Sequence, residues 1–240
     1  MLSKNQLKLI SHLKKKKYRQ QHNLFIAEGI KVVEELLLSE FKLHTLFCTN
    51  DYSNDSLTDL VQKISEKELT LISDFKSPNK VFALFEIPEK AKIVSSGVSL
   101  VLDEINDPGN LGTIIRLCDW FGIDQIICSS NTVDCYNSKV VQASMGSLSR
   151  VSVLYMDINE YLKNEKRPIY GAMLGGENIY KTNLSKEAVL ILGNEANGIS
   201  NSIQKLISKH ITIPQFGVAK KTESLNVAMA TAILLSEFKR

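Results

Sequence analysis

The sequence predicts an α/β protein: a mostly parallel sheet with helices on both faces, preceded by a small α/β domain. Short apolar runs alternate with amphipathic segments along the whole chain, the pattern that builds layered sheets. Runs such as Leu100–Leu102 and Ala188–Leu192 carry no polar position, as strands buried on both faces require. Several of them lead into Asn, Asp, Gly and Pro just before a helical pattern resumes, the position where open α/β sheets bind ligands.

In the first half, Leu7, Ile10 and Leu13 recur at helical spacing and predict a helix over 3–20 that runs into the basic stretch KKKKYR. A strand follows at 24–27, a turn at Glu28 and Gly29, and a helix at 30–38. The pattern then reads as strand 44–49, helix 56–64, strand 69–72 and helix 76–85. Charged and small residues at 89–97 form the candidate linker, which divides the chain into domains 1–95 and 96–240. The second half reads as strand 98–103, helix 110–121, strand 124–128, helix 137–144, strand 151–155, helix 157–164 and strand 168–173. A strand at 188–192, a helix near 199–208, a strand at 210–213 and a long helix from about 224 complete it.

The 240 residues are 44% hydrophobic and 23% charged, ordinary for a globular protein, and either one or two domains can bury a core at this length. Net charge is only +3, too small to argue for nucleic acid by itself. Its distribution says more. Lys4, Lys8, Lys14, Lys15, Lys16, Lys17, Arg19 and Lys31 cluster at the start, opposed there only by Glu28. Lys14 to Lys17 with Arg19 are the candidate RNA-binding residues, because cations on phosphates release counterions and give salt-dependent affinity. A plain solvated helix end is the alternative. Tyr18 offers a stacking surface beside them.

No apolar run approaches the roughly 18 residues of a membrane span. No secretory apolar core is evident, so the expected compartment is the cytoplasm. Cys48, Cys118, Cys128 and Cys135 form no C-x-x-C pair, and the four histidines lack ligand spacing; no metal site is expected.

Three segments could carry chemistry. NDPGNLGTIIR at 106–116 follows the strand at 98–103, and its helix, opened by Asn110, turns Leu111, Ile114, Ile115 and Cys118 to one face and Arg116 elsewhere. LGNEANGIS at 192–200 ends the strand at 188–192, with Gly193 and Gly198 permitting close backbone approach or a positive φ. IPQFG at 213–217 and SLNVAMA at 224–230 bracket a polar loop. Each has a plainer explanation: Asn110 and Ser224 as helix caps, the glycines as turn formers, Arg116 as an ion-pair partner. Familiar nucleotide fingerprints, G-x-x-x-x-G-K-[ST] and G-x-G-x-x-G after a strand, are absent, and no histidine is placed for a Ser–His–acid system.

In order, spacing and strand context, these three segments resemble motifs one, two and three of the SpoU/TrmH family, ribose 2′-O-methyltransferases of the SPOUT superfamily. The resemblance covers about 98–240 and includes Ser144-Met145-Gly146-Ser147. The opening LKLISHLKKKKYRQQHNLFIAEG is similar to the ribosomal-protein-like substrate-binding domain that often precedes this catalytic domain. The family implies a SPOUT-type sheet with a C-terminal trefoil knot, which ordinary topology rules would never suggest. It also implies S-adenosylmethionine as cofactor and a homodimer with the site near the subunit interface.

By motif position, Asn110, Arg116, Glu195, Ser224 and Asn226 match the family's functional residues. The resemblance places the cofactor against Ala172, Met173, Leu174, Leu192, Gly193, Asn194, Gly198, Ile213 and Leu225. In the family the motif-one arginine is discussed as the base, although a guanidinium stays protonated at working pH. Holding the neighbouring phosphate and stabilising alkoxide charge is an equally physical role for Arg116. Asn110 and Asn226 are then expected to orient that arginine or the ribose, Glu195 to fix the same arginine, and Ser224 to bond the cofactor or cap the last helix. The loop 218–223 is about three residues longer than the family's usual one, with Lys220 and Lys221 either touching RNA or facing solvent. The implied activity is methyl transfer to a ribose 2′-hydroxyl of structured RNA, ribosomal RNA before transfer RNA. A non-catalytic RNA-binding protein of the same fold is the rival reading.

Overall fold

The computed structural model describes residues 1–52, 59–89, 91–217 and 224–240. They form two compact units, 1–89 with 134–149, and 90–133 with 150–240.

In the first unit, helix α1 (Lys4–Leu13) starts at Ser3. The Ser3 hydroxyl accepts from the Gln6 N–H, and the Gln6 side chain accepts from the Ser3 N–H in return. The basic run does not continue this helix. Lys15 is extended (φ −107°, ψ 134°) and α2 (Lys16–His22) begins after it, so the single helix expected over 3–20 is two helices joined at a corner. The corner lets the buried Arg19 donate from Nη1 to the Leu13 carbonyl at 2.9 Å, an acceptor that a helix end leaves without an intrahelical partner.

Strand β1 (Leu24–Glu28) and helix α3 (Ile30–Leu37) follow, then β2 (Leu43–Cys48), β3 (Val61–Lys63), α4 (Glu66–Ile72) and β4 (Val81–Glu86). The sheet order is β1-β4-β2-β3, antiparallel except for the parallel β2–β3 pair. Three sequence expectations are corrected here. Residues 69–72 are helical: Ser65 and Glu68 form a capping box, and Leu69 and Ile72 are buried while Leu71 is exposed, a helical rhythm. Residues 81–85, expected within a helix, are strand β4. VFALF is buried throughout in a central strand, where periodicity cannot separate strand from buried helix. The helix expected over 56–64 meets strand β3 at 61–63, while 56–58 lie outside the described residues. Leu24, Ile26, Phe47, Phe82 and Leu84 of the sheet pack with Ile10, Leu13, Leu69 and Ile72 of the helices as this unit's core.

The other elements are β5 (Val98–Leu102), α5 (Pro108–Phe121), β6 (Gln125–Cys128), α6 (Ser138–Ser144), β7 (Ser152–Tyr155), α7 (Ile158–Lys163) and β8 (Ile169–Asn178). They are followed by β9 (Ala188–Leu192), α8 (Asn201–Gln204), β10 (Lys209–Thr212) and α9 (Val227–Lys239). The strands pair in the order β10-β8-β9-β5-β6-β7, every pair parallel. Val101, Ile127, Val189 and Ile191 pack with Ile158 and Leu162 of α7 and Ile199 and Ile203 on one face. Alternation turns Leu100, Leu102, Leu190 and Leu192 to the other face, where α5 and α9 pack against each other and Phe238 meets Tyr170 edge-on at 5.2 Å.

Helix α6 is the exception. Although it connects two strands of the second sheet, segment 134–149 packs in the first unit, α6 against β1, with Tyr136 4.9 Å from Phe25. The buried Arg19 clamps Asp134 there with two donors, at 2.9 and 2.5 Å.

Candidate active site

The carboxyl ends of β9 and β10, the middle of β8 and the start of α9 surround a cavity of about 500 Å³. Ala172, Met173, Leu174, Leu192, Gly193, Asn194, Gly198, Ile213 and Leu225, separated by up to 53 positions, all line it. So do Glu195 and Ser224. Apolar side chains supply much of the wall, and the irregular segments at 193–198 and 213 bring backbone groups to its edge.

The 193–200 turn owes its shape to two glycines. A Cβ on Gly193 would lie 2.2 Å from the backbone of Gly198 and Ile199, so no other residue fits. Gly198 has φ +66° and closes a two-way bridge with Asn194, at 3.0 and 2.9 Å. Inside that bridge the Asn194 Oδ1 accepts from the Ala196 and Asn197 N–H groups. The cradle is held open by its own backbone, and its apolar walls with a polar backbone rim suit a nucleoside joined to an amino-acid chain. S-adenosylmethionine fits that description.

At the rim, three motifs meet in one hydrogen-bonded line. Asn226 caps α9, its Oδ1 accepting from Ala228 N–H and Met229 N–H. Its Nδ2 donates to Asn110 Oδ1 at 2.9 Å, and Asn110 Nδ2 donates to Glu195 Oε1 at 2.7 Å. Both ends of this line are unambiguous: backbone N–H groups demand an oxygen and a carboxylate demands a donor. They therefore fix both amide orientations.

Two cap assignments are corrected. Helix α5 is capped by Asp107, which accepts from the Asn110 N–H at 2.7 Å and leaves the Asn110 side chain free for the rim. Helix α9 is capped by Asn226, not Ser224, which instead lines the cavity. The expected link from Asn110 and Glu195 to Arg116 is absent: Arg116 is exposed and has no hydrogen-bond or ion-pair partner among the described residues. Six positions along α5 from Asn110, it lies about 9 Å up the axis and a third of a turn away. The long loop at 218–223, with Lys220 and Lys221, lies outside the described residues.

Of the basic residues, Lys15, Lys16 and Lys17 are exposed at the α1–α2 corner. Lys14 pairs with Asp74 at 2.5 Å. Arg19 is withdrawn from the RNA-binding set altogether: it is 3% exposed and spent on Asp134 and the Leu13 carbonyl. Tyr18 stacks on His12, ring centroids 4.2 Å apart. The four cysteines are buried, and burial pushes the Cys118 thiol up, which removes it as a nucleophile.

Residues 97–236 match the SpoU rRNA Methylase family, and residues 4–83 match the MRM3-like substrate binding domain. The chain belongs to the SpoU rRNA methylase family. Among SpoU relatives, it is 31% identical over 227 residues to a Bacillus subtilis 23S rRNA (guanosine(2553)-2′-O)-methyltransferase, covering 92% of this chain and 90% of the relative. A TrmH-family structure from Porphyromonas gingivalis superposes with a TM-score of 0.87 at 37% identity, covering 99% and 98% of the two chains. An AdoMet-bound rRNA methyltransferase from Sinorhizobium meliloti also superposes with a TM-score of 0.87, at 28% identity over 100% and 95%.

Sequence reasoning missed further cavity residues: Ile199 and Ala230 inside the motifs, Thr212 one position before IPQFG, and Gln204 four positions after LGNEANGIS. Adjacency to the motif residues was the available signal for all but Gln204. It also missed Asp103, the buried carboxylate just after β5.

Proposed function

We propose that this SpoU-family chain transfers a methyl group from S-adenosylmethionine to a ribose 2′-hydroxyl of ribosomal RNA. The observation that carries the reading is the rim line Asn226–Asn110–Glu195, beside a cavity lined by every residue assigned to the cofactor. S-adenosylmethionine supplies an electrophilic methyl group on sulfonium sulfur when bound. The B. subtilis rRNA 2′-O-methyltransferase and the AdoMet-bound S. meliloti structure support both halves of the reading.

The chain's own residues do the positioning, which is a large part of such a reaction. Leu192, Gly193, Asn194, Ile213 and Leu225 hold the cofactor. Asn110 spends one amide proton and its oxygen on the line, and its second amide proton is left to orient a ribose. Glu195 Oε2 accepts from no described residue and can take a hydrogen bond from the 2′-hydroxyl. Arg116, unpaired among the described residues and permanently charged, holds a phosphate and stabilises developing alkoxide charge.

The substrate reaches the site with help from Lys15, Lys16 and Lys17 of a domain proposed to span 1–95, ahead of a catalytic domain at 96–240 whose C-terminal chain carries the family's trefoil knot. Lys14 is reserved for Asp74. A homodimer belongs to the same reading. Trp120 of α5 and Met229 of α9 are 84% and 64% exposed, large apolar side chains that a second copy would cover. No helix among the described residues is long and apolar enough to cross a membrane. The cytoplasm is the compartment proposed with this reading.

Purified protein with ribosomal RNA and methyl-labelled S-adenosylmethionine tests the proposal directly. Label at a ribose 2′-oxygen, lost in Arg116→Ala, is expected. Tight RNA binding without label transfer would favour a non-catalytic binding protein.

A further inference from the structure

The dipeptide that follows β5, Asp103-Glu104, holds the cofactor turn at both ends, although neither residue lines the cavity. Asp103 is 4% exposed, and its Oδ2 accepts from the Ser200 N–H at 2.8 Å. Its own N–H donates to the Leu192 carbonyl at 2.9 Å. Glu104 stands next to it with φ +58°, a left-handed conformation unusual for a residue with a side chain. That conformation comes with its carbonyl accepting from Asn194 Nδ2 at 2.8 Å. The twist is itself secured: Glu104 N–H donates to Ser129 Oγ at 2.9 Å, and Glu104 Oε1 accepts from Asn131 Nδ2 at 2.8 Å. Three residues further on, Asp107 starts the helix that presents Asn110.

We propose that Asp103 and the backbone of Glu104 are positioning residues for methyl transfer, clamping the 193–200 cofactor turn in register with the Asn110 helix. The proposal rests on the functional reading above. A single rigid dipeptide sets two things at once: the turn against which the cofactor lies and the start of the helix that meets the ribose. Strain at Glu104 persists because five hydrogen bonds over-determine the pair. A buried carboxylate accepting a backbone N–H is a strong anchor, and deleting either partner leaves the other unsatisfied.

Two variants remove the same bond from opposite sides. Asp103→Leu deletes the acceptor at similar volume. Ser200→Pro deletes the donor: the φ of −61° at Ser200 suits proline, and the ring Cδ takes the place of the N–H beside Asp103 Oδ2, so the carboxylate has to swing away. Each is expected to raise amide hydrogen exchange at 194–198 at least tenfold in the cofactor-free protein while β9 stays protected. Each should also weaken S-adenosylmethionine binding at least tenfold, with ribosomal RNA affinity unchanged. The double variant should be no worse than either single. Asp103→Asn, which keeps an acceptor oxygen, and Glu104→Gly, which keeps the carbonyl and suits the positive φ, should stay within threefold of the parent.

Unchanged exchange at 194–198 in Ser200→Pro would overturn the clamp, and that variant stands as the test even where Asp103→Leu fails to fold. Looser exchange with unaltered cofactor affinity would overturn the positioning role. Failure of the unmodified protein to bind cofactor would count against the functional reading, while the exchange data still judge the clamp.

Discussion

Asn226 performs two tasks with opposite ends of one amide. Its oxygen caps α9 and its nitrogen reaches Asn110, so an aspartate in its place keeps the cap and loses the donor. Asn226→Asp should therefore change stability by no more than about 0.5 kcal/mol, since both residues cap well. Methyl transfer should fall by about tenfold or more, because Asn110 loses the partner that fixes its amide and gains a facing negative charge. Thermal melts and single-turnover rates on the same sample separate the two effects. Arg116 is the complementary case. It is exposed and without a partner among the described residues, so Arg116→Ala should leave the melting temperature unchanged and cut the rate by about 10²–10³. A variant with full stability and near-normal turnover would remove Arg116 from the mechanism.

At the scale of elements, the α1–α2 corner and segment 134–149 are held together by one buried guanidinium. Arg19 bonds Asp134 twice and the Leu13 carbonyl once. Arg19→Ala should destabilise the protein by about 3–5 kcal/mol, as removing one partner of a buried ion pair strands the other. Urea unfolding of Arg19→Ala, Asp134→Ala and the double variant measures this, and the double should cost much less than the sum. From sequence, Arg19 was indistinguishable from its lysine neighbours, because nothing local signals a partner 115 positions away. The same limit explains β4 and α4. VFALF at 81–85 has no polar position to reveal its period, while the short α4 is declared mainly by a capping box whose serine and glutamate lie around its start. The second half was far more legible. Its central strands β5 and β9 are almost wholly apolar, and strand positions across this half were readable to within a residue or two, β8 aside, which runs on to Asn178. Part of the cavity lining was also legible, because Leu192, Gly193, Asn194, Gly198, Ile213 and Leu225 sit in the motifs. The wiring of the rim was not: that Asn110 meets Glu195 and Asn226 rather than Arg116 depends on side-chain directions alone.

For the whole molecule, charge is local rather than global. A net charge of +3 gives little long-range attraction for RNA, so affinity must come from the lysines at the α1–α2 corner. Replacing Lys15, Lys16 and Lys17 by serine should weaken ribosomal RNA binding and flatten its salt dependence by about 0.7–0.9 for each phosphate no longer neutralised. S-adenosylmethionine affinity should not change, since the cavity is built from other residues. An unaltered salt slope would return these lysines to the role of a solvated helix end. The claim beneath all of this is methyl transfer to a ribose of ribosomal RNA. Its most direct measurement is nucleotide-resolution mapping of 2′-O-methylation in total RNA from cells with and without the gene, followed by addition of purified protein and cofactor. The account predicts one ribosomal RNA ribose that loses its methyl group without the gene and regains it on addition. No ribose changing in cells, and none modified by folded protein with bound cofactor, would contradict it.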